Sequence, residues 1–298
     1  MKFTLRQLAI FEAVARLGSV SAAAEEIALS QSAASLALQD LEATLGAALF
    51  HRHRKKLNLN ENGRRLQPQA VSLLRQAREI EQQSANDDLA GAVRIAATST
   101  IGNYLMPDIS AAFMAEHPRA VIKLMIMSEP EVIEQVEAMN VDLGFIEGLT
   151  MRHTLTVESW FEDQLVLVAA PDHWASGKDL TPEDLKAERW ILLPIGSSTR
   201  HTFVTRFAEQ VRSGTIVCES NSVESMKRLV RAGGGISCLS RSSVRDELAE
   251  GSLIELVVKG FPLEQRFSLI ARRDIYQGGL LNGFARQTRA FIKGPSPH

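Results

Sequence analysis

The chain of 298 residues is poor in cysteine, in long apolar runs, in net charge and in catalytic signatures. Its two cysteines, Cys218 and Cys238, are too few for a disulfide framework and fit a reducing compartment. No run reaches the roughly 18 apolar residues needed to cross a bilayer. Met1 to Phe11 lacks the apolar core of a secretion signal and reads as the start of an amphipathic helix. A cytoplasmic protein without a membrane partner is the expectation. There is no Gly-rich phosphate loop, no Gly-x-Ser-x-Gly elbow and no metal-ligand spacing, and the histidines are scattered. Gly233-Gly234-Gly235 follows a helical stretch and precedes an apolar one, the reverse of a nucleotide fingerprint. No enzyme, cofactor or metal is therefore expected.

Length predicts about two domains. Hydrophobic residues at 45% and charged residues at 23% allow each an ordinary core. The net charge of −2 hides one local feature. Arg52, Arg54, Lys55, Lys56, Arg64 and Arg65 crowd together against the single acid Glu61. Such a cluster on a near-neutral chain is either a solvated loop or the contact for an anionic partner.

Residues 1 to about 88 read as helices with one hairpin. Leu5, Leu8, Ile10, Phe11 and Val14 repeat at helical spacing until Gly18. A short helix, Val20 to Ile27, and a third, Gln31 to Leu45, are separated by Ala28-Leu29-Ser30, with Ser30 as N-cap and Gly46 as stop. So short a turn forces a steep crossing, as in a helix-turn-helix, and Ala22-Ala23-Ala24 permits the close approach. Leu49-Phe50 reads as an anchor and Arg52 to Asn60 as a wing. A basic wing beside a helix-turn-helix fits DNA phosphates and the minor groove. Asn60 then caps a helix to about Asp88, along which Leu66, Ala70, Leu73, Ala77, Ile80 and Ser84 form a heptad seam. The seam packs either on its own domain or, in the preferred reading, on a second copy, giving a homodimer with two reading helices on one duplex.

From Ala92 onward, strands and helices alternate. A first series holds strands Ala92–Thr98, Ala120–Met127 and Val141–Ile146 with helices Ile101–Glu116 and Pro130–Met139. A second series holds strand Leu165–Ala169, helix Pro182–Leu185, strand Trp190–Leu193, helix His201–Val211 and strand Ile216–Glu219. It continues with helix Ser222–Ala232, strand Ile236–Leu239 and helix Ser243–Glu250, before a last strand Arg266–Ala271 and helix Gly278–Ile292. This alternation predicts α/β architecture with a parallel sheet, in two lobes with a cleft between them.

Order and spacing of several motifs resemble the LysR-type transcriptional regulators. They run through Leu5-Arg6-Gln7-Leu8, Ala22-Ala23-Ala24, Leu29-Ser30-Gln31-Ser32-Ala33-Ala34-Ser35, Leu41-Glu42, Leu45-Gly46, Leu49-Phe50, Arg52 and Leu57-Asn58-Leu59-Asn60-Glu61-Asn62-Gly63. The resemblance extends over essentially the whole chain. It implies a winged helix-turn-helix DNA-binding domain (1–60), a linker and dimerisation helix (61–90) and an effector-binding domain like periplasmic binding proteins (91–298). Lobe I would hold about 91–160 and 266–292, lobe II about 161–265. The resemblance also implies a homotetramer, built as a dimer of dimers, and contact with RNA polymerase. Ser99 to Tyr104, Gly144 to Gly148 and Gly235 to Arg241 further resemble the sulfite-responsive enterobacterial type. Leu36 stands where many family members carry a basic or polar residue.

Gln31, Ser32 and Ser35 are the candidates for major-groove contact, with Ser30 beside them, since glutamine can pair with adenine and serine can meet a base edge or a phosphate. Arg52, Arg54 and Lys55 are candidates for the backbone or minor groove. Glu42 reads as part of a structural ion pair. For the effector, three segments at strand ends look prepared: Ser99 and Thr100, the Gly196 to Arg200 loop with Ser197 and Thr199, and Asn221 with Ser222. Together they suit a small oxyanion, which the resemblance implies to be sulfite or a related ion, or a carboxylate. Each serine also reads as a helix cap. Glu147 opposes an anion unless it is protonated, paired or turned away, and could instead orient an amine-bearing ligand. Redox sensing through Cys218 and Cys238 is a further alternative, although both fall in apolar strands.

Overall fold

The computed structural model describes residues 2–53, 56–83, 90–276 and 278–293. The N-terminal unit opens with α1 (Leu5–Leu17), α2 (Val20–Glu26) and α3 (Gln31–Leu45). Each start is fixed by a hydroxyl: Thr4, Ser19 and Ser30 accept from the N–H groups of Gln7, Ala22 and Ala33. α1 and α3 stop at Gly18 and Gly46 in the left-handed region. Ala23, Ala24 and Ala34 lie buried among Leu8, Phe11, Leu38 and Leu41, so small side chains set the crossing. The wing is an antiparallel hairpin of β1 (Phe50–His53) and β2 (Lys56–Leu59), pairing Phe50 with Leu59 and Arg52 with Leu57. Leu49 and Phe50 anchor it, and Phe50 meets Phe11 edge-on at 5.6 Å.

The linker helix α4 (Glu61–Gln83) begins where Asn60 accepts from the N–H of Gly63 at 2.9 Å. A Cβ on Gly63 would lie 2.2 Å from the Leu49 carbonyl oxygen, a backbone atom that cannot step aside. Gly63→Ala is therefore expected to cost about 1–3 kcal/mol, read as a lowered denaturant midpoint; an unchanged midpoint would contradict this packing. The heptad seam divides. Leu66 and Ala70 pack into the core of their own unit, whereas Leu73 is 39% and Ile80 68% exposed. Ser84 lies outside the described residues.

The C-terminal unit starts with β3 (Gly91–Ala97), α5 (Ser99–Tyr104), α6 (Met106–Glu116), β4 (Ala120–Ile126), α7 (Glu129–Glu137), β5 (Leu143–Glu147) and β6 (Leu155–Ala169). Next come β7 (Asp179–Leu180), a 3-10 turn at Pro182–Leu185, β8 (Arg189–Leu192), α8 (Ser198–Arg206), α9 (Ala208–Ser213), β9 (Thr215–Glu219), α10 (Val223–Arg231), β10 (Ser237–Ser240) and α11 (Arg241–Glu250). The short strands β11 (Ile254–Glu255) and β12 (Val257–Val258) precede β13 (Leu263–Arg272) and α12 (Gly278–Lys293).

The main sheet has the order β10-β6-β13-β5-β3-β4. It is mixed, which corrects the expectation of a parallel sheet. β3 runs parallel to β4 and β5, but β13 is antiparallel to both β5 and β6, and β10 is antiparallel to β6. The reason is the crossover. β6 carries the chain out of lobe I and β13 brings it back, so the two must oppose each other. Their cores confirm the passage: Trp160, Phe267 and Leu269 sit with Ile95, Phe113 and Phe145, while Leu165 and Leu167 sit with Trp190, Phe203 and Ile236. β6 starts ten residues before the strand expected at Leu165. Two expected helices are each divided, Ile101–Glu116 at Leu105 and His201–Val211 at Phe207. Pro107 opens α6, where its missing N–H leaves no bond unmade.

Candidate functional site

The carboxyl ends of β3, β4 and β5 face those of β8 and β9 across a cavity of about 630 Å³. Helix starts converge on it, as expected for the strand ends of an α/β sheet. Ser99, Thr100, Glu147, Ser197 and Asn221 line it, so the structure brings together five of the seven residues proposed from sequence. The other two serve differently. Thr199 is buried behind the wall and donates to Glu147 at 2.8 Å, and Ser222 caps α10 by accepting from Ser225 N–H at 3.3 Å. Ser197 also caps, accepting from Arg200 N–H. Arg200 turns from the cavity to the Leu193 carbonyl and Glu219.

Glu147 is paired. Its buried carboxylate accepts from Thr98 at 3.4 Å, Thr199 at 2.8 Å and the Gln265 amide at 3.3 Å. Thr98 thereby gives up capping α5, whose first turn carries no side-chain cap. Sequence reasoning missed a second carboxylate, Glu129, at the start of α7. Burial pushes its carboxyl up from the ordinary range; the hydrogen bond from Ser198 opposes this, and the charge of Glu147 adds to it. Among the described residues, hydrogen bonds from a hydroxyl to a carboxylate bridge the lobes at Ser198 to Glu129, Thr199 to Glu147 and Tyr104 to Glu224. Among the described residues lining the cavity there are three acids, Glu129, Glu131 and Glu147, and no Lys, Arg or His.

At the other end of the molecule, α3 presents Gln31 and Ser32 to solvent with Ser35 half-buried. Ser30 caps the helix and lies 3.1 Å from the Ser32 hydroxyl. Arg52 lies on β1, whereas Arg54 and Lys55 are outside the described residues. Glu42 corrects its expected role: it holds the Leu49 N–H at 2.7 Å rather than a cation, fixing the wing's anchor to α3.

Residues 5–64 match the model for the bacterial regulatory helix-turn-helix protein, lysR family, and residues 86–292 match the LysR substrate binding domain. The chain belongs to the LysR family. As such it is a DNA-binding transcriptional regulator rather than an enzyme. It is 41% identical over 286 residues to the uncharacterized HTH-type transcriptional regulator YeiE of Escherichia coli K12, covering 96% of each chain. It is 32% identical to the RuBisCO operon transcriptional regulator of Allochromatium vinosum, covering 98% of this chain and 96% of that one. Full-length OxyR from Pseudomonas aeruginosa shares its fold at TM-score 0.73 and 20% identity, covering 96% of this chain and 98% of that one. Full-length CbnR, solved with its target DNA, matches at TM-score 0.57 and 23% identity, covering 97% and 99%.

The LysR architecture explains why sequence reasoning reached only half of the cleft. Ser128, Glu129 and Glu131 form a capping segment after β4, and the Ser-x-x-Glu spacing of Ser128 and Glu131 was a readable sign of a helix start at a strand end. Ser198 lies within the Gly196 to Arg200 loop already singled out, whereas Gln265 had no such sign, because it reaches the site on the crossover strand β13. The thiols stand apart from it. Cys238 is fully packed in lobe II, where burial pushes its thiol well above the ordinary range, and Cys218 is half-buried on β9. Among the described residues no helix is long and apolar enough to cross a membrane, and no group of His, Cys, Asp or Glu is placed to hold a metal ion.

Proposed function

We propose that this LysR-family regulator responds to a small oxyanion bound between its lobes, with sulfite as the first candidate and small carboxylates next. The carrying observation is the Ser198–Glu129 contact across a cavity walled by hydroxyls. An oxyanion entering here can accept from Ser198 of lobe II in place of Glu129 of lobe I. Ligand and carboxylate compete for one donor, so occupancy changes the contact that holds the lobes. That gives the differential affinity that a ligand needs in order to shift a conformational equilibrium. Ser99, Thr100, Ser197 and Asn221 supply further neutral donors.

In this reading the chain divides its work among a DNA-binding unit at 1–60, a linker at 61–90 and an effector domain at 91–298. Gln31, Ser32 and Ser35 would enter the major groove, with Arg52, Arg54 and Lys55 on phosphates or in the minor groove. Exposed Leu73 and Ile80, seven residues apart on α4, suit a homodimer seam. Two such dimers on one operator, in the cytoplasm, would contact RNA polymerase differently with and without effector.

Calorimetric titration of the full chain with sulfite, sulfate, thiosulfate and small carboxylates tests the ligand. Saturable binding is expected, weakened about tenfold or more by Thr100→Ala, the loss of one hydrogen bond to a charged ligand. Binding by none of these ions would remove the oxyanion. A second reading, an amine-bearing effector, is favoured by Glu129, Glu131 and Glu147 on the wall and by the lack of any cation among its described residues. The two readings predict opposite dependence on pH.

A further inference from the structure

The buried face of α3 carries Ala34, Leu38 and Leu41, which fill the core of the winged helix. The opposite face carries Ser32, Ser35, Leu36 and Gln39, at the i, i+3, i+4 and i+7 spacing of one helical stripe. Three of these can only hydrogen-bond, and one cannot hydrogen-bond at all. Leu36 is 60% exposed, the most exposed large apolar side chain on the three helices of the unit. Single exposed leucines are common on protein surfaces. This one stands in the middle of a stripe that, on the reading of α3 as the DNA-reading helix, lies within the major groove.

We propose that Leu36 determines specificity by packing on the 5-methyl group of a thymine. The major-groove edge of a base pair offers one apolar feature, that methyl group, and it alone distinguishes thymine from uracil there. An isobutyl side chain has nothing to offer a guanine or adenine edge beyond contact, and against a cytosine edge it would desolvate the amino group unpaired. Covering a thymine methyl instead removes apolar surface from water on both partners. Ser32 and Ser35, one turn and one residue away, would hold the neighbouring base edges or phosphates and so fix the height at which Leu36 meets the groove floor. Position 36 then carries an apolar reading where a polar side chain would carry a hydrogen-bonded one.

The test uses the full-length protein and duplexes that it selects from a random pool. Each selected thymine is replaced in turn by deoxyuridine, and affinity is read by fluorescence anisotropy. For the wild type, one thymine in each half-site is expected to show a loss of about fourfold, the factor for burying one methyl group. Leu36→Ala, an exposed change to a better helix former, is expected to bind the thymine and uracil duplexes alike. In Leu36→Arg the selected base should change to guanine, which a guanidinium can pair with at two atoms. A wild type indifferent to uracil at every position, or a Leu36→Ala protein that keeps the same discrimination, would overturn the proposal while leaving DNA binding intact. Failure to select any duplex would overturn the assignment of α3 itself.

Discussion

Replacing Asp142 with asparagine is expected to destabilise the full-length protein by about 3 kcal/mol, the lower end of the range for breaking a buried ion pair. Asp142 sits just before β5 with its side chain 7% exposed, and it ties the linker helix to lobe I. Arg75 on α4 reaches it at 2.7 Å and Arg94 on β3 at 2.9 Å, while the Arg94 N–H donates to its second oxygen. The same turn of α4 holds the chain before α12, through Arg75 to the Tyr276 carbonyl and Tyr276 N–H to Ser72. Asparagine keeps the shape but removes the buried charge that two partly desolvated guanidinium groups share. Both arginines keep some contact with water, hence the lower figure. A urea titration measures it, and a double-mutant cycle with Arg75→Met isolates the pair, for which a coupling of roughly 0.5–3 kcal/mol is expected. Additive effects would show that Arg75 contributes nothing through Asp142.

The pH dependence of this tie follows from the carboxyl. Burial pushes Asp142 up, but the hydrogen bond and charge of Arg94 and the charge of Arg75 outweigh it, so its pKa lies below the ordinary value. A depressed carboxyl stabilises the fold above the unfolded-state pKa and loses that contribution as pH falls through the folded one. The difference between wild type and Asp142→Asn is therefore constant through neutral pH and closes only below about pH 4. Next to the tie, a cavity of about 450 Å³ lies between the winged helix and lobe I, walled by Glu12, Arg16 and Glu26 on one side and Arg94 and Lys123 on the other. Charged groups of the DNA-reading unit and of the effector domain thus face each other across open space beside the tie.

How much of this was legible depended on whether the cause was local. The cap at Ser30, the stops at Gly18 and Gly46 and the anchor Leu49-Phe50 act within a few residues of where they are written, so the winged helix could be read along the chain. β6 could not be read in full. Its first half runs Leu155-Thr156-Val157-Glu158-Ser159-Trp160, with a shift of register opposite Phe267 and Ser268, and the alternation that marks a strand is lost there. The mixed sheet was illegible for a related reason: strand order and direction are set by the return of β13 from the far lobe. Half of the cleft shares that origin. Ser99, Thr100, Ser197 and Asn221 follow strands and announce themselves. The partners that neutralise the problem of Glu147, namely Thr199 and Gln265, come from far along the chain and meet it only after the lobes are built.

Glu129→Gln is expected to raise affinity for a bound oxyanion about tenfold or more at neutral pH and to flatten its pH dependence. Two like charges several Å apart, at an effective dielectric of about 20, oppose each other by more than 1 kcal/mol. Glu129 bears that opposition in the wild type because it faces the cavity, whereas Glu147 is held by three donors. The sign can be worked out. Burial and the neighbouring Glu147 raise the Glu129 carboxyl, and a bound anion favours its neutral form further. Binding then takes up a proton, so wild-type affinity for an oxyanion must rise as pH falls toward the raised pKa. Glutamine is neutral throughout, and its carbonyl can still accept from Ser198. Sulfate, which stays fully ionised across the neutral range, separates this effect from the proton that sulfite itself takes up. An amine-bearing effector would reverse every sign: its affinity would fall with pH and collapse in Glu129→Gln. Calorimetry of wild type and variant at two pH values, with sulfate beside sulfite, therefore decides whether the Ser198–Glu129 contact across the cleft is broken by an anion that takes the hydroxyl or by a cation that takes the carboxylate.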